Sequence, residues 1–258
     1  MLKVDILGGL FRDFIFYGNG VHADNILEVP GGTGFNVYKG LAELGVDVIF
    51  HGSYGKDWPF EKIGVCRDGK SGVFVSRNEK EVLSVYRGVN LLTKFEQPVS
   101  NVLFSSLECG GKVFGAYAEY MHGKGGIVIL DPSPVFEWQP EFARLVDILI
   151  PNEKELKVIE EKNKSLNNIT VFVKNGYRGG KVIFGNMRKE IFPRRIGKFP
   201  LACGDVFDTI VVWGTLKEKD LGLILHDAVA VSSLASLIEG SSPSVIEAVS
   251  HFAGGLSD

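Results

Sequence analysis

The sequence predicts a doubly wound α/β domain: a mostly parallel sheet with helices on both faces and a small separate set of β strands near the N-terminus. Three observations carry this. From residue 101 onward, short continuous apolar runs alternate with segments of helical periodicity, as expected of parallel strands joined by helical crossovers. The opening has the same β-α-β character, with an apolar run over residues 4–7 that breaks at Gly8-Gly9. Of 258 residues, 45% are apolar and 23% charged, enough to bury one sizeable core, and no linker divides the chain.

Residues 4–7 form the first strand, and the glycines after it leave backbone open to close approach. Phe35, Val37, Tyr38, Leu41, Ala42 and Leu44 then recur at helical spacing and stop at Gly45, predicting an amphipathic helix with a glycine just past its end. A strand over 46–50 follows. The 8–34 stretch is long for a loop in a compact unit. It holds apolar runs at 14–17 and 26–29, which with 73–76 and 82–86 predict a few strands set apart from the main sheet. Residues 56–63 resemble a short helix. Beyond residue 101 the expected order is strand 102–104, helix near 112–122, strand 127–130, a short helix near Glu141 and strand 148–150. A helix from Asn152, strands 170–174, 181–184 and 190–192, and helices near 204–214, 220–238 and 244–252 complete it.

With 28 Lys+Arg against 31 Asp+Glu the formal charge is −3, and no basic cluster marks a nucleic-acid surface. No apolar stretch reaches the roughly 18–20 residues of a membrane span. Asp5 interrupts the first apolar run too early for a signal peptide, so a cytoplasmic location with no membrane partner is expected. Cys66, Cys109 and Cys203 have no C-x-x-C spacing and predict neither a disulfide framework nor a zinc site.

Two stretches suggest phosphate chemistry. Residues 64–71 satisfy G-x-x-x-x-G-K-[ST], and the strand over 127–130 ends at Asp131 as a magnesium-binding strand would. A phosphate loop needs a strand before it and a helix after it, because amides at the helix start hold the anion. Here residues 73–75 read as a strand, so 68–72 is a polar turn. The second stretch, Leu201-Ala202-Cys203-Gly204-Asp205, places small residues just before a helical pattern continued by Val206, Phe207, Ile210, Val211 and Trp213. The amides of Ala202, Cys203 and Gly204 could crowd an anion there, aided by the helix dipole. Asp205 could take a proton from an attacking hydroxyl, or serve only as a first-turn acid that compensates the dipole.

Further motifs stand in a fixed order. They are Gly31-Gly32-Thr33-Gly34-Phe35-Asn36 with Leu41-Ala42-Glu43-Leu44-Gly45, Asp131-Pro132 with Trp138, Pro151-Asn152-Glu153-Lys154-Glu155, Lys174-Asn175-Gly176-Tyr177-Arg178-Gly179, and Cys203-Gly204-Asp205. In these the chain resembles the ribokinase-like (PfkB) carbohydrate kinases, from the first strand to about residue 240. The resemblance implies a single ribokinase-like domain over 1–258 that transfers the γ-phosphoryl group of ATP to a hydroxyl of a sugar or sugar-like small molecule. It makes Asp205 the general base and Ala202, Cys203 and Gly204 the anion hole. Asn152 and Glu155 match an N-x-x-E element that organises Mg²⁺ through water, a role suited to hard oxygen ligands. Lys174, Gly176 and Gly179 match the nucleotide-lining strand and turn, and Asp13, Gly31, Gly32 and Asn36 the acceptor-binding elements.

On residue chemistry alone, Gly176 and Gly179 are equally a turn pair, and Glu153, Glu160 and Glu161 a solvated acidic helix face. Asp13 is either a loop acid or a carboxylate placed where open α/β sheets bind ligands. The strands of 14–29 and 73–86 match the family's inserted lid, and are also a candidate interface in a homodimer. A nucleoside or polyol acceptor, or a non-catalytic nucleotide- or sugar-binding homologue, are the alternatives on the same scaffold. Two departures from the family pattern stand out. Phe199 replaces an Asp that helps hold an activating monovalent cation, so the resemblance does not carry potassium activation over; Ala202 replaces a Gly. Arg12, Lys39 and Arg87 lie near the acceptor-side segments, as surface charges or as partners for an anionic acceptor.

Overall fold

Each inner strand of the main sheet is apolar on both sides, and such a sheet is stable only with a helical layer over each face. In the computed structural model, which describes residues 2–19, 21–163, 165–238 and 244–250, that is the arrangement found. Eight strands form the sheet: β1 (Lys3–Leu7), β4 (Asp47–His51), β9 (Val102–Ser106), β10 (Ile127–Asp131), β11 (Ile148–Leu149), β12 (Thr170–Lys174), β13 (Gly180–Phe184) and β14 (Met187–Ile191). Their order is β14-β13-β12-β11-β10-β9-β1-β4, parallel from β12 to β4 and antiparallel at the β12-β13-β14 end.

Alternation along the strands divides the core in two. Val4, Ile6, Phe104, Ile129 and Phe172 pack beneath α1 (Thr33–Glu43), α4 (Cys203–Leu216), α5 (Leu221–Ala235) and α6 (Val245–Ser250). Leu7, Leu103, Val128, Leu130, Val171 and Val173 pack beneath α2 (Gly111–Gly123) and α3 (Glu153–Lys162). The final helix expected over 244–252 is α6, and residues 251–252 lie outside the described residues. No helix among the described residues is long and apolar enough to cross a membrane.

The strands expected apart from the main sheet form a second, four-stranded sheet ordered β3-β2-β7-β8. It comprises β2 (Phe11–Tyr17), β3 (Asn25–Gly31), β7 (Gly72–Arg77) and β8 (Glu81–Tyr86). Asp13 on β2 pairs with Val29 on β3 and Phe74 on β7, so the sheet starts beside the C-terminal end of β1 and extends away from it. Two short strands, β5 (Ser53–Gly55) and β6 (Val65–Arg67), pair in parallel below it.

Residues 56–63 are not the short helix that their sequence resembles. The Trp58 amide closes a turn onto Gly55 O at 3.1 Å, its indole donates to Glu61 O at 2.8 Å, and Pro59 offers no amide proton with which to continue. The 64–71 motif contains β6 and runs directly into β7, with no helix after Ser71. The Ser71 hydroxyl accepts from Gly55 N at 2.9 Å, and its amide donates to Asp57 at 2.8 Å.

Candidate active site

Six parallel strands end on one edge of the main sheet, and the segments leaving them carry most of the polar residues singled out by sequence. Gly8 after β1 and Gly34 in the first turn of α1 meet backbone to backbone, and a Cβ on either would collide with the other's main chain. This contact brings the 31–36 segment over the end of β1. Gly31 abuts the Asp13 carboxylate in the same way, leaving no room for a side chain between them.

Asp205 lies in the first turn of α4, where its carboxylate accepts from Asn36 Nδ2 at 2.6 Å. Burial pushes its pKa above the ordinary value, opposed by the Asn36 hydrogen bond and the Lys174 ammonium and aided by Asp131. On one side of Asp205 opens a cavity of about 340 Å³, lined by Asp13, Gly32, Thr33, Asn36, Glu108 and Asp205 itself. Its remaining wall is largely apolar, from Phe11, Phe74, Val85 and Phe136. On the other side lies a cavity of about 190 Å³, bordered by Lys174, Gly176, Gly179, Cys203 and Gly204. Thus Asp13, Gly32 and Asn36 gather in one chamber, Lys174, Gly176, Gly179, Cys203 and Gly204 in the other, with Asp205 between them. Gly31 sits behind Asp13.

The start of α4 is tightly turned. Ala202 is its N-cap in the left-handed region, φ 57°, a conformation that L side chains disfavour. Its carbonyl takes the amides of Asp205 and Val206 at 3.0 and 3.1 Å, while the Cys203 amide makes a long 3.4 Å bond to Pro200 O. Helix geometry leaves the Gly204 amide without an acceptor inside the helix, directed to the cavity side.

Asn152 and Glu155 form a reciprocal cap on α3. Asn152 Oδ1 accepts from the amides of Lys154 and Glu155 at 2.9 and 3.0 Å, and Glu155 Oε2 accepts from Asn152 N at 2.8 Å. Burial and the neighbouring Asp131 raise the Glu155 pKa, and Lys174 opposes them. Among the described residues no three His, Cys, Asp or Glu side chains converge closely enough to hold a metal directly. With Asn152 and one Glu155 oxygen occupied by the cap, this donor set fits a hydrated Mg²⁺ that arrives with phosphate oxygens and is touched through water.

Glu108 and Asp208 were not anticipated as site residues, and Asp131, noted at a strand end and in a motif, was given no partner there. Glu108, just past β9, accepts from the amides of Gly9 (2.9 Å), Thr33 (2.8 Å) and Gly34 (3.3 Å) and from the Ser106 hydroxyl (2.7 Å). It ties the end of β1 to the start of α1 within the larger cavity, and burial pushes its pKa up to about 7 against those hydrogen bonds. An acid just past a strand's C-terminal end was the signal read at Asp13, and it applies equally here. Asp131 and Asp208 both pair with Lys174. Asp208 is recognisable in retrospect as the one acid within the apolar run 206–212. Of the three basic residues near the acceptor-side segments, Arg87 lines the larger cavity, pairing with Glu137 at 2.8 Å over the Phe136 ring. Arg12 pairs with Glu28 and Asp57 on the four-stranded sheet.

Solved structures share this fold across nearly their whole length. The Burkholderia thailandensis nucleoside kinase in complex with inosine is 17% identical, with 98% of each chain covered and a TM-score of 0.84. The Thermotoga maritima ribokinase is 18% identical, covering 96% of this chain and 98% of its own, at a TM-score of 0.77. The fold is ribokinase-like. The Arabidopsis thaliana ribokinase complexed with ribose and ATP has the same ribokinase-like fold at 18% identity, 96% and 97% coverage and a TM-score of 0.75. No family model matches the chain.

Proposed function

We propose that the protein is an ATP-dependent kinase that phosphorylates a hydroxyl of a sugar or sugar-like small molecule. The observation that carries this is the position of Asp205, a half-buried carboxylate in the first turn of α4 that lines the chamber holding Asp13 and Asn36, while Cys203 and Gly204 just before it border the second chamber. In this reading the acceptor occupies the larger cavity, its hydroxyls held by Asp13 and Asn36, with the reacting hydroxyl against Asp205. ATP extends its triphosphate from the smaller cavity past Gly204. Asp205 takes the hydroxyl proton as the oxygen attacks the γ-phosphorus, and the bond to the β-phosphate oxygen breaks to leave ADP. The amides at 202–204 and the α4 dipole stabilise the charge on the transferring group. Mg²⁺, when bound, offsets charge on the phosphates, with its water shell oriented by Glu155 and Asn152.

The four-stranded sheet serves as a lid that excludes water from the transferring phosphoryl group. A second copy of the chain is the proposed partner of this sheet, because β3 and β8 are unpaired edges and every residue of β8 is exposed. Three free cysteines suit a reducing, cytoplasmic setting. A nucleoside acceptor is the second reading, favoured by the aromatic wall of Phe11, Phe74 and Phe136, which suits a base better than a free sugar.

The test is Mg²⁺-dependent ADP release from ATP with hexoses, ketoses, sugar acids, polyols and nucleosides, run beside Asp205→Asn. Turnover on one acceptor class that falls about 100-fold or more in the variant is expected. Bound ATP with no ADP release on any acceptor would instead mark a nucleotide-binding protein without turnover.

A further inference from the structure

Lys174 borders the smaller cavity, yet its ammonium is already fully engaged. Nζ donates to Asp131 Oδ2 at 2.6 Å and meets Asp208 Oδ2 and Oδ1 at 3.0 and 3.1 Å, so all three N–H donors have carboxylate partners and none is left for a phosphate. The side chains of Lys174, Asp131 and Asp208 are only 14%, 3% and 0% exposed. Burying such a cluster costs desolvation that apolar packing would avoid, so stability alone does not account for it. Its location does. A Cβ built on Gly204 would lie 3.8 Å from Nζ, which places the ammonium directly beneath the first turn of α4, beside Asp205.

We propose that Lys174, clamped by Asp131 and Asp208, is a positioning residue for Asp205: a fixed internal cation that keeps the Asp205 carboxylate charged inside a water-excluding site, ready to accept a proton. The proton-accepting step rests on the kinase reading above; the electrostatic coupling does not. The groups facing Asp205 are Asn36 and Thr33 from α1, Asp13 from β2, Asp131 from β10, Lys174 from β12, and Cys203 and Asp208 from α4. Glu155 of α3 acts on Lys174 and Asp131. Among these, Lys174 is the cation, so its removal leaves Asp205 facing only neutral or acidic neighbours.

The experiment is a ¹³C NMR titration of aspartate side-chain carboxyls in the full chain, with the Asp205 signal assigned by its loss in Asp205→Asn. Lys174→Met should move the Asp205 midpoint up by about one pH unit or more, the scale on which one adjacent opposite charge acts. Lys174→Arg should leave it near wild type, and Asp131→Asn should move it down. A clamp that is merely structural would lower the melting temperature of Lys174→Met without moving that midpoint, and would overturn the proposal. Should Lys174→Met not fold, the same titration in Lys174→Gln decides, and an unmoved Asp205 midpoint there overturns the proposal as well. The titration needs neither ATP nor acceptor. Lack of turnover with ribose and inosine would therefore count against the kinase reading while leaving the coupling measurable.

Discussion

Glu108 shows how one residue links fold and site. Its carboxylate collects three hydrogen bonds from two glycine-rich segments and a fourth from the Ser106 hydroxyl, yet burial outweighs them and raises its pKa from 4.5 to about 7. A raised carboxyl pKa means that the folded chain binds a proton the unfolded chain has released. The stability this group contributes is therefore complete below about pH 4.5 and is lost as pH rises through about 7. Replacement by Gln removes that titration. The stability advantage of wild type over Glu108→Gln, measured by urea unfolding, should shrink by about 3 kcal/mol between pH 4.5 and pH 8. A pH-independent difference would show that Glu108 has the same pKa folded and unfolded. Asp13, nearby in the same cavity, is held well above the ordinary range mainly by burial and then by the charges of Asp205 and Glu108. One of its oxygens is buried with no hydrogen-bond partner among the described residues, as suits a group that binds an acceptor hydroxyl.

Among the elements, α3 opens with a motif that reads two ways. The N-x-x-E spacing that suggested a magnesium element is also a capping box, and Asn152 cannot serve one purpose without affecting the other. Asn152→Ala leaves the amides of Lys154 and Glu155 without their acceptor and should cost about 1 kcal/mol. For a domain of this size that lowers the melting temperature by about 2–4 °C, readable by circular dichroism. An unchanged melt would mean that water replaces the side chain at the helix start. Helix α4 follows the opposite design. Its N-cap makes no side-chain hydrogen bond, and Ala202 holds a left-handed backbone instead, so no capping side chain takes the Gly204 amide. The contrast between a satisfied helix start at α3 and a more open one at α4 is what the proposed anion hole at 202–204 requires.

At the scale of the molecule, the four-stranded sheet leaves apolar side chains uncovered. Leu27, Val82 and Val85 expose apolar side chains at 36%, 55% and 52%, and both edge strands lack partners. Sedimentation of the wild-type chain should give a dimer, and Val82→Glu should give a monomer with unchanged helical content. A wild-type chain that sediments as a monomer throughout the micromolar range would end the dimer proposal.

The order of strands and helices, the two-faced burial of the main sheet and the separate β layer were all legible along the chain, because apolar periodicity is a local property set by which face each side chain must bury. Asp205 and Asp13 were legible as candidates from a helix start and a strand end, whereas Asn36 and Lys174 were candidates only through the resemblance to the ribokinase-like kinases. Local pattern misread 56–63 as helical, since the turn at Gly55 and the indole of Trp58 settle that segment through their hydrogen bonds. Glu108, Asp131 and Asp208 acquire meaning chiefly from partners distant in the chain, 99 positions for Gly9–Glu108, 43 for Asp131–Lys174 and 34 for Lys174–Asp208. The sequence by itself determined the elements and the chemistry available at their ends. Only the tertiary structure decided which charges share a low-dielectric interior, and there distance and desolvation, neither of them a property of any one stretch of chain, set what each group can do.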